Sequence, residues 1–429
     1  MLPEIRTEGN IFTVPQFRIE KDTIEGFIEE LRGFHQEFRD CFYRSEPREN
    51  FFFYMADQLS ELERKSIEPI AIRIEGGKVR PMQRTISEVV WDEDKMLRKY
   101  HGMIAHDMGD SNGVVIFDES GFVKKGNNSI GVARQYCGSI GKVENCQVGV
   151  FEAYVSRHGY ALVDKRLFLP EKWFSDEYAE RRKKCELPSR TQFQKKPQLA
   201  VEMLQELTKE NILPFKYIVA DPVYGNSPEF IEAIDKCIGK TYLVSIPFDT
   251  LCWLKDPLVI QKKYKHKGKI LIKKKVKNTD QKPITVVAVA KNTNEFFWYR
   301  RTVSEGTKGQ IEYEFTKRQV TISKNGLPWK SVWLIIKKTI GDNPEYSYYI
   351  SNASSSTRLK TFVWLSGMRW AIEQCFEETK TELGMDQYEV RKYAGWNHHI
   401  LSCMLAHFFL WHLKIKLGKK ISRSYRLAA

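Results

Sequence analysis

Apolar positions recur at helical spacing in the first hundred residues, at strand spacing through the middle, and at helical spacing again near the end. Residues 1–105 read as mostly helical. Asp22-Thr-Ile-Glu opens a first amphipathic helix, Arg48–Ile72 is a second helical region interrupted by Pro69, Gly76–Gly77 marks a turn, and a third helix follows Arg80-Pro81. From Gly113 to Phe248 the pattern becomes strands. Val114–Phe117 reads as a buried strand that ends at Asp118 and is punctuated by Gly121. Arg134–Ile140 and Cys146–Val155 are β-rich and joined by the hairpin-like 141–145, and Tyr160–Leu169 follows as a further strand. Helix and strand then alternate: Pro197–Asn211 helix, Phe215–Ala220 strand ending at Asp221, Pro228–Ile238 helix opened by Ser227, and Thr241–Pro247 strand.

More than 100 residues separate that strand from the next long helical pattern, too many for an ordinary loop. Lys269–Val276, Ile284–Ala290, Phe296–Val303, Gln310–Thr316, Gln319–Ser323, Ser331–Lys337 and Tyr346–Ile350 all read as strands, which makes this stretch a β-rich insertion. Its leading segment, KKYKHKGKILIKKKVK, carries nine lysines and a histidine. Such an edge can block aggregation or bind phosphate.

The helical pattern from Thr361 to Arg391 has an apolar stripe at Met368, Ile372, Cys375, Phe376, Thr379 and Leu383. Arg369, Glu373, Glu377 and Lys380 form a second stripe beside it, either a solvated face laced with ion pairs or the wall of a cleft. The tail from Gly395 to Lys416 is apolar and helical. Its His398, His399, His407 and His412 read as core or surface histidines, not metal ligands.

Composition narrows the partner. Sixty-eight Lys and Arg against 54 Asp and Glu give +14 and a pI near 9.2, which favours a polyanion. The eight cysteines include no CxxC pair and sit in apolar stretches, so they read as free thiols of a reducing compartment. No run reaches about 18 consecutive apolar residues and the N-terminus lacks a signal-peptide layout, so the expectation is a soluble cytoplasmic protein with no membrane partner.

Two strands ending in Asp and a Glu on a later helix are the chemistry worth isolating. An Asp after a strand is by itself a turn residue. Three carboxylates that converge can hold hard divalent cations, and a pair of ions about 4 Å apart can activate a water and stabilise a leaving oxygen at a phosphodiester.

Asp118, Asp221 and Glu373 resemble the acidic triad of the DDE transposases. Arg369, three residues, Glu373, six residues and Lys380 match the Arg-Glu-Lys part of the Tyr-Arg-Glu-Lys signature in one large branch of bacterial insertion-sequence transposases. The segments ARQYCGSIGKVENCQVGVF and ELGMDQYEVRKYAGWNHH are also similar to those enzymes, and the resemblance extends over most of the chain. The position of the signature tyrosine holds Ser366.

The resemblance implies an α/β ribonuclease-H-like catalytic core with a β-rich insertion, preceded by a helical N-terminal DNA-binding domain. The expected boundaries are 1–105 for the helical domain, 106–249 for the first part of the core, 250–352 for the insertion, and 353–429 for the rest of the core with C-terminal helices. Asp118 and Asp221 would stand at the ends of neighbouring central strands. The implied activity is cut-and-paste transposition, with Asp118, Asp221 and Glu373 holding two Mg²⁺ ions, for which Mn²⁺ can substitute. The alternatives are a ribonuclease-H-like nuclease without strand transfer and a non-catalytic transposase-derived DNA-binding protein.

The implied partners are double-stranded DNA, as terminal inverted repeats and target, and a second copy of the chain, at least on DNA, in the nucleoid-associated bacterial cytoplasm. Arg369 and Lys380 would hold phosphates at the cut. Further DNA contacts are expected from Lys273, Lys274 and Lys275 of the lysine-rich edge, from Lys124 and Lys125, and from Arg64, Lys65, Arg80 and Arg84 in a helix-turn-helix-like segment. Trp298, ahead of Trp329 and Trp333, is the expected stacking partner of a flipped base.

Overall fold

The computed structural model describes residues 26–74, 77–266, 269–277, 282–306 and 309–427. Asp22 and Gly76, named above as helix start and turn, lie outside them, as do Lys267 and Gly268 of the lysine-rich segment. The chain divides into two compact units, Met1–Lys216 with Arg369–Ala429, and Tyr217–Met368.

The first unit opens with helices α1 (Phe27–Gln36), α2 (Ser45–Gln58), α3 (Ile67–Arg73), α4 (Val79–Ser87) and α5 (Glu93–Met108). Pro69 does not interrupt a long helix as its position suggested. It sits in the first turn of α3, where a proline's missing N–H costs nothing, and the break falls earlier, at residues 59–66. Asp92 caps α5 by accepting from the Lys95 amide at 2.9 Å.

Four antiparallel strands follow: β1 (Val114–Val123), β2 (Ala133–Cys137), β3 (Lys142–Ser156) and β4 (Gly159–Phe168). The long β3 pairs with β1 on one side and with both β2 and β4 on the other. The β2–β3 link is tighter than expected, a 3-10 turn at 138–140 and Gly141 at φ +65°. β1 does not end at Asp118. The strand runs on to Val123 with Asp118 fifth of its ten residues, so a run of buried residues marked only half of it. Gly121 is not punctuation either; a Cβ there would come 2.4 Å from the Cys137 sulfur, so the strand needs glycine where β2 folds over it. Helices α6 (Ala179–Lys184) and α7 (Lys196–Glu210) complete this stretch, and α7 ends at Asn211 with φ +51°.

The second unit begins with β5 (Tyr217–Ala220), the single-turn α8 (Pro222–Gly225), α9 (Pro228–Lys236) and β6 (Thr241–Ile246); β5 and β6 are parallel, joined by the α8–α9 crossover. Then come β7 (Leu251–Trp253), the hairpin β8 (Val259–His266) and β9 (Lys269–Val276), β10 (Ile284–Thr285), α10 (Val286–Lys291), β11 (Tyr299–Gly306), β12 (Gly309–Lys324), β13 (Leu327–Lys338), β14 (Tyr346–Ser351) and α11 (Leu359–Met368). β14 pairs with β6, and β13, β12, β7 and β10 continue outward in that order, with β11 also on β12. Of the expected insertion strands, those corresponding to β11, β12, β13 and β14 therefore extend the β5–β6 sheet, whereas Lys269–Val276 pairs with β8 in a separate two-stranded sheet. Two expectations fail here. Ile284–Ala290 is mostly helix, because Thr285 caps its first turn by accepting from Ala288 N at 3.2 Å, and the two strands expected between Gln310 and Ser323 are one.

The chain re-enters the first unit at Arg369, with α12 (Trp370–Thr381) and α13 (Tyr393–Leu427). On the β1–β4 sheet, α7 covers one face through Glu206 at Arg166, and α12 covers the other through Phe376 at Phe151, ring centroids 5.1 Å apart. The window Tyr393–Gly418 of α13 is apolar enough and long enough to cross a membrane, but 67% of it is buried within the protein.

Candidate active site

Helix α12 lies along β1, and the alternation of each element sets what meets. Phe151 is the register partner of Asp118, so Phe376 packing on Phe151 brings the polar shoulder of α12 to the aspartate. Arg369, just before the helix, places its guanidinium 2.5 Å from Glu373 Oε1 and 4.0 Å from Asp118 Oδ2. Asp118 and Glu373, the two of the three expected carboxylates that lie in this unit, are thus gathered about one cation. Asp118 also accepts from the Glu119 amide at 2.8 Å, while Glu119 itself is paired with Lys196 at 2.7 Å. Farther along, the Lys380 ammonium donates to the Gly121 carbonyl at 3.1 Å and lies over the Phe122 ring; burial lowers its pKa.

The charged stripe is therefore neither wholly solvated nor wholly a cleft wall. Its Glu373 and Glu377 are exposed and its Lys380 is half-buried, whereas Glu378, next to the stripe, turns into the core, accepting from the Tyr160 hydroxyl (2.7 Å), Gln374 Nε2 (3.1 Å) and His407 Nε2 (2.7 Å). Burial pushes that carboxyl up, and the bonds from His407, Tyr160 and Gln374 outweigh it, leaving the pKa below the usual value. Sequence reasoning missed this hub. Ser366, in place of the signature tyrosine, donates to the Val363 carbonyl of its own helix at 2.7 Å.

In the second unit Asp221 follows β5 as expected and caps α8, accepting from the amides of Val223 (2.8 Å) and Tyr224 (3.4 Å). Gly225 closes that turn against β6; a Cβ would stand 1.9 Å from the Ser245 carbonyl oxygen. The same unit presents the lysine-rich hairpin, where Lys273, Lys274 and Lys275 are exposed. Trp298, Trp329 and Trp333 are half-buried, each with a lysine ammonium over one face: Lys338 at 4.3 Å, Lys324 at 4.9 Å and Lys317 at 4.3 Å. The neighbouring Phe296 and Phe297, 90% and 60% exposed, escaped the sequence reading, which ranked only tryptophans.

Other candidates fare unequally. Lys65 is buried, and its ammonium donates to the carbonyls of Gln58 (2.8 Å), Ser60 (2.7 Å) and Glu382. An ammonium has three donors and all three are spent, so Lys65 leaves the set of DNA contacts. Lys124 is half-buried, donating to the Tyr388 carbonyl at 2.8 Å above the Tyr388 ring; burial lowers its pKa to about 8. Arg64 is exposed but paired with Glu389, while Lys125, Arg80 and Arg84 are exposed. The four C-terminal histidines are held in hydrogen bonds: His398 to the Ile86 carbonyl and Glu93, His399 to Tyr54 and the Met385 carbonyl, His407 to Glu378 and His412 to Asp107.

The sequence model of the DDE superfamily endonuclease family matches residues 37–310, more than half of the chain and a span that includes Asp118 and Asp221 but stops short of Glu373. The probable transposase for insertion sequence element IS701 of Microchaete diplosiphon is 22% identical over 349 residues, covering 80% of this chain and 77% of that relative. A piggyBac transposase, solved by cryo-EM as a synaptic complex with hairpin DNA, aligns with 94% of this chain and 79% of its own, at 10% identity and a TM-score of 0.42. The chain belongs to the DDE superfamily endonucleases and is a DNA-acting, divalent-metal-using transposase of the insertion-sequence type.

Proposed function

We propose that Asp118, Asp221 and Glu373 are the ligands of two divalent ions, Mg²⁺ with Mn²⁺ able to substitute, and that the transposase uses them to cut the inverted-repeat ends of its element and join them to target DNA. The observation that supports this most is the Arg369 guanidinium between Asp118 and Glu373, a position of concentrated negative charge built from two separate elements. The donors are all carboxylate oxygens, the set that hard divalent cations prefer over thiolate or imidazole sites. When bound, such a pair lowers the pKa of the attacking water or 3′-hydroxyl and stabilises the departing 3′ oxygen.

The protein's own part is placement. The turn of α8 holds Asp221, β1 holds Asp118 and α12 carries Glu373, so no side-chain nucleophile is needed. Arg369 would grip a phosphate beside the cut with its fork, and Lys380 another as a point charge. Lys273, Lys274 and Lys275 would track the backbone farther out, with Lys125, Arg80 and Arg84. Trp298, or the more exposed Phe296 and Phe297, would stack on an unpaired base. Joining two ends calls for two copies of the chain on the DNA.

The test uses labelled DNA carrying the ends that flank the gene, with Mg²⁺ and a Glu373→Gln control. Cleavage and joining, both lost in the control, are expected. Cleavage without joining would reduce the activity to a nuclease, and binding without either would leave a DNA-binding protein.

A further inference from the structure

A divalent ion held by Asp118 and Glu373 would stand about 2–2.6 Å from their oxygens. The Arg369 guanidinium lies between the two, 2.5 Å from Glu373 and 4.0 Å from Asp118, and so fills the space such an ion would enter. A dication and a guanidinium cannot share that volume, and their like charges repel. The other cations near β1 are committed elsewhere: Lys196 to Glu119 at 2.7 Å and Lys380 to the Gly121 carbonyl at 3.1 Å. Arg369 stands between α11 and α12 with its side chain about a third exposed, so the guanidinium has solvent to swing into.

We propose that Arg369 is an internal counter-ion that occupies the divalent-ion position between Asp118 and Glu373 and is turned outward by metal entry, becoming a phosphate ligand only then. This rests on the metal-ligand reading above and adds regulation to it. Without metal the carboxylates would repel DNA and the arginine would be spent neutralising them. With metal, the repulsion falls and a bidentate phosphate donor is released in the same event. Metal loading and DNA grip become one coupled equilibrium.

The experiment is a titration of the DNA-free protein with Mn²⁺ alone, following free Mn²⁺ by its paramagnetic resonance signal, with thermal unfolding of every variant. Arg369→Gln, which removes the competing charge, is expected to bind Mn²⁺ roughly three- to tenfold tighter than wild type. Arg369→Lys, which keeps the charge, should stay near wild type, and Glu373→Gln should bind more weakly. A folded Arg369→Gln that binds Mn²⁺ no tighter than wild type overturns the counter-ion role, while a weakened Glu373→Gln in the same series keeps the ligand reading intact. Wild-type affinity in Glu373→Gln would instead sink the ligand reading itself. Should Arg369→Gln melt early, Arg369→Met repeats the comparison.

Discussion

Glu373 and Glu378 lie five residues apart on one helix in opposite surroundings, one half exposed beside Arg369 and the other tied into the core. Replacing Glu378 by Leu keeps the volume and removes the acceptor of the Tyr160 hydroxyl and the His407 ring N–H, both buried, and of the half-exposed Gln374 amide. Each stranded buried donor costs about 1–3 kcal/mol. The pair together costs roughly 2–6 kcal/mol. A unit of this size loses roughly 2 °C of Tm per kcal/mol, so Glu378→Leu should melt about 4–12 °C early. Its stabilisation should also fade in acid: a carboxyl held below its usual pKa contributes fully above the unfolded value and loses that contribution as pH falls through the folded one. Glu373→Gln breaks only a half-exposed ion pair with Arg369, worth at most about 1 kcal/mol, and should melt within about 2 °C of wild type. Mn²⁺ binding should divide them the other way, retained in folded Glu378→Leu and weakened in Glu373→Gln. The reasoning is refuted if Glu378→Leu melts normally and loses the metal while Glu373→Gln keeps it.

Gly225→Ala must move the α8 turn by more than an ångström to clear the Ser245 carbonyl, shifting Asp221 with it; cleavage should fall about a hundredfold and the second unit lose about 1–3 kcal/mol, read by end cleavage and urea melts. His35 is buried among aromatic rings, and burial, with Arg48 and Arg32 nearby, lowers its pKa to about 4. The native state thus refuses a proton that the unfolded chain accepts near 6.5, so about 3 kcal/mol of stability should be present above that pH and drain between 6.5 and 4. His35→Leu should flatten this slope, and a wild-type-like acid profile in that variant would show the proton is taken up elsewhere. Replacing Lys273, Lys274 and Lys275 together by Gln should weaken DNA binding evenly across sequences and reduce the salt slope by roughly two to three, measured by fluorescence anisotropy across ionic strengths. An unchanged slope would remove the hairpin from the DNA path.

What the sequence disclosed follows from what period and spacing encode. Helical and strand periods located most elements, since burial of one face is a local pattern: Asp221 after its strand, Ser227 capping α9, and the hairpin partners of β3 all stand where expected. The extent of β1 was hidden because it is covered on both faces beyond Asp118, with a glycine that reads as a break and is a packing contact. Ile284–Ala290 was misread because valines suit a strand, while one threonine hydroxyl made the cap that starts a helix.

Charge is less legible than period because a lysine's role is decided by what lies within reach of its four-carbon stem. Lys65 and Lys273 look alike in a basic sequence, yet one ammonium is shared among three carbonyls contributed from across the first unit and the other is exposed. The stripe Arg369, Glu373, Lys380 shows the same limit from the other side. Its spacing marked the polar shoulder of α12, but an i,i+4 Arg–Glu pair reads as surface decoration until Asp118 is found on the far side of the guanidinium. A carboxylate supplied by a strand some 250 residues earlier leaves no mark on the helix pattern, and it turns an i,i+4 ion pair into a cluster of one guanidinium and two carboxylates. The motif named Arg369, Glu373 and Lys380, while what each of them touches depended on the fold that brought β1 beneath them.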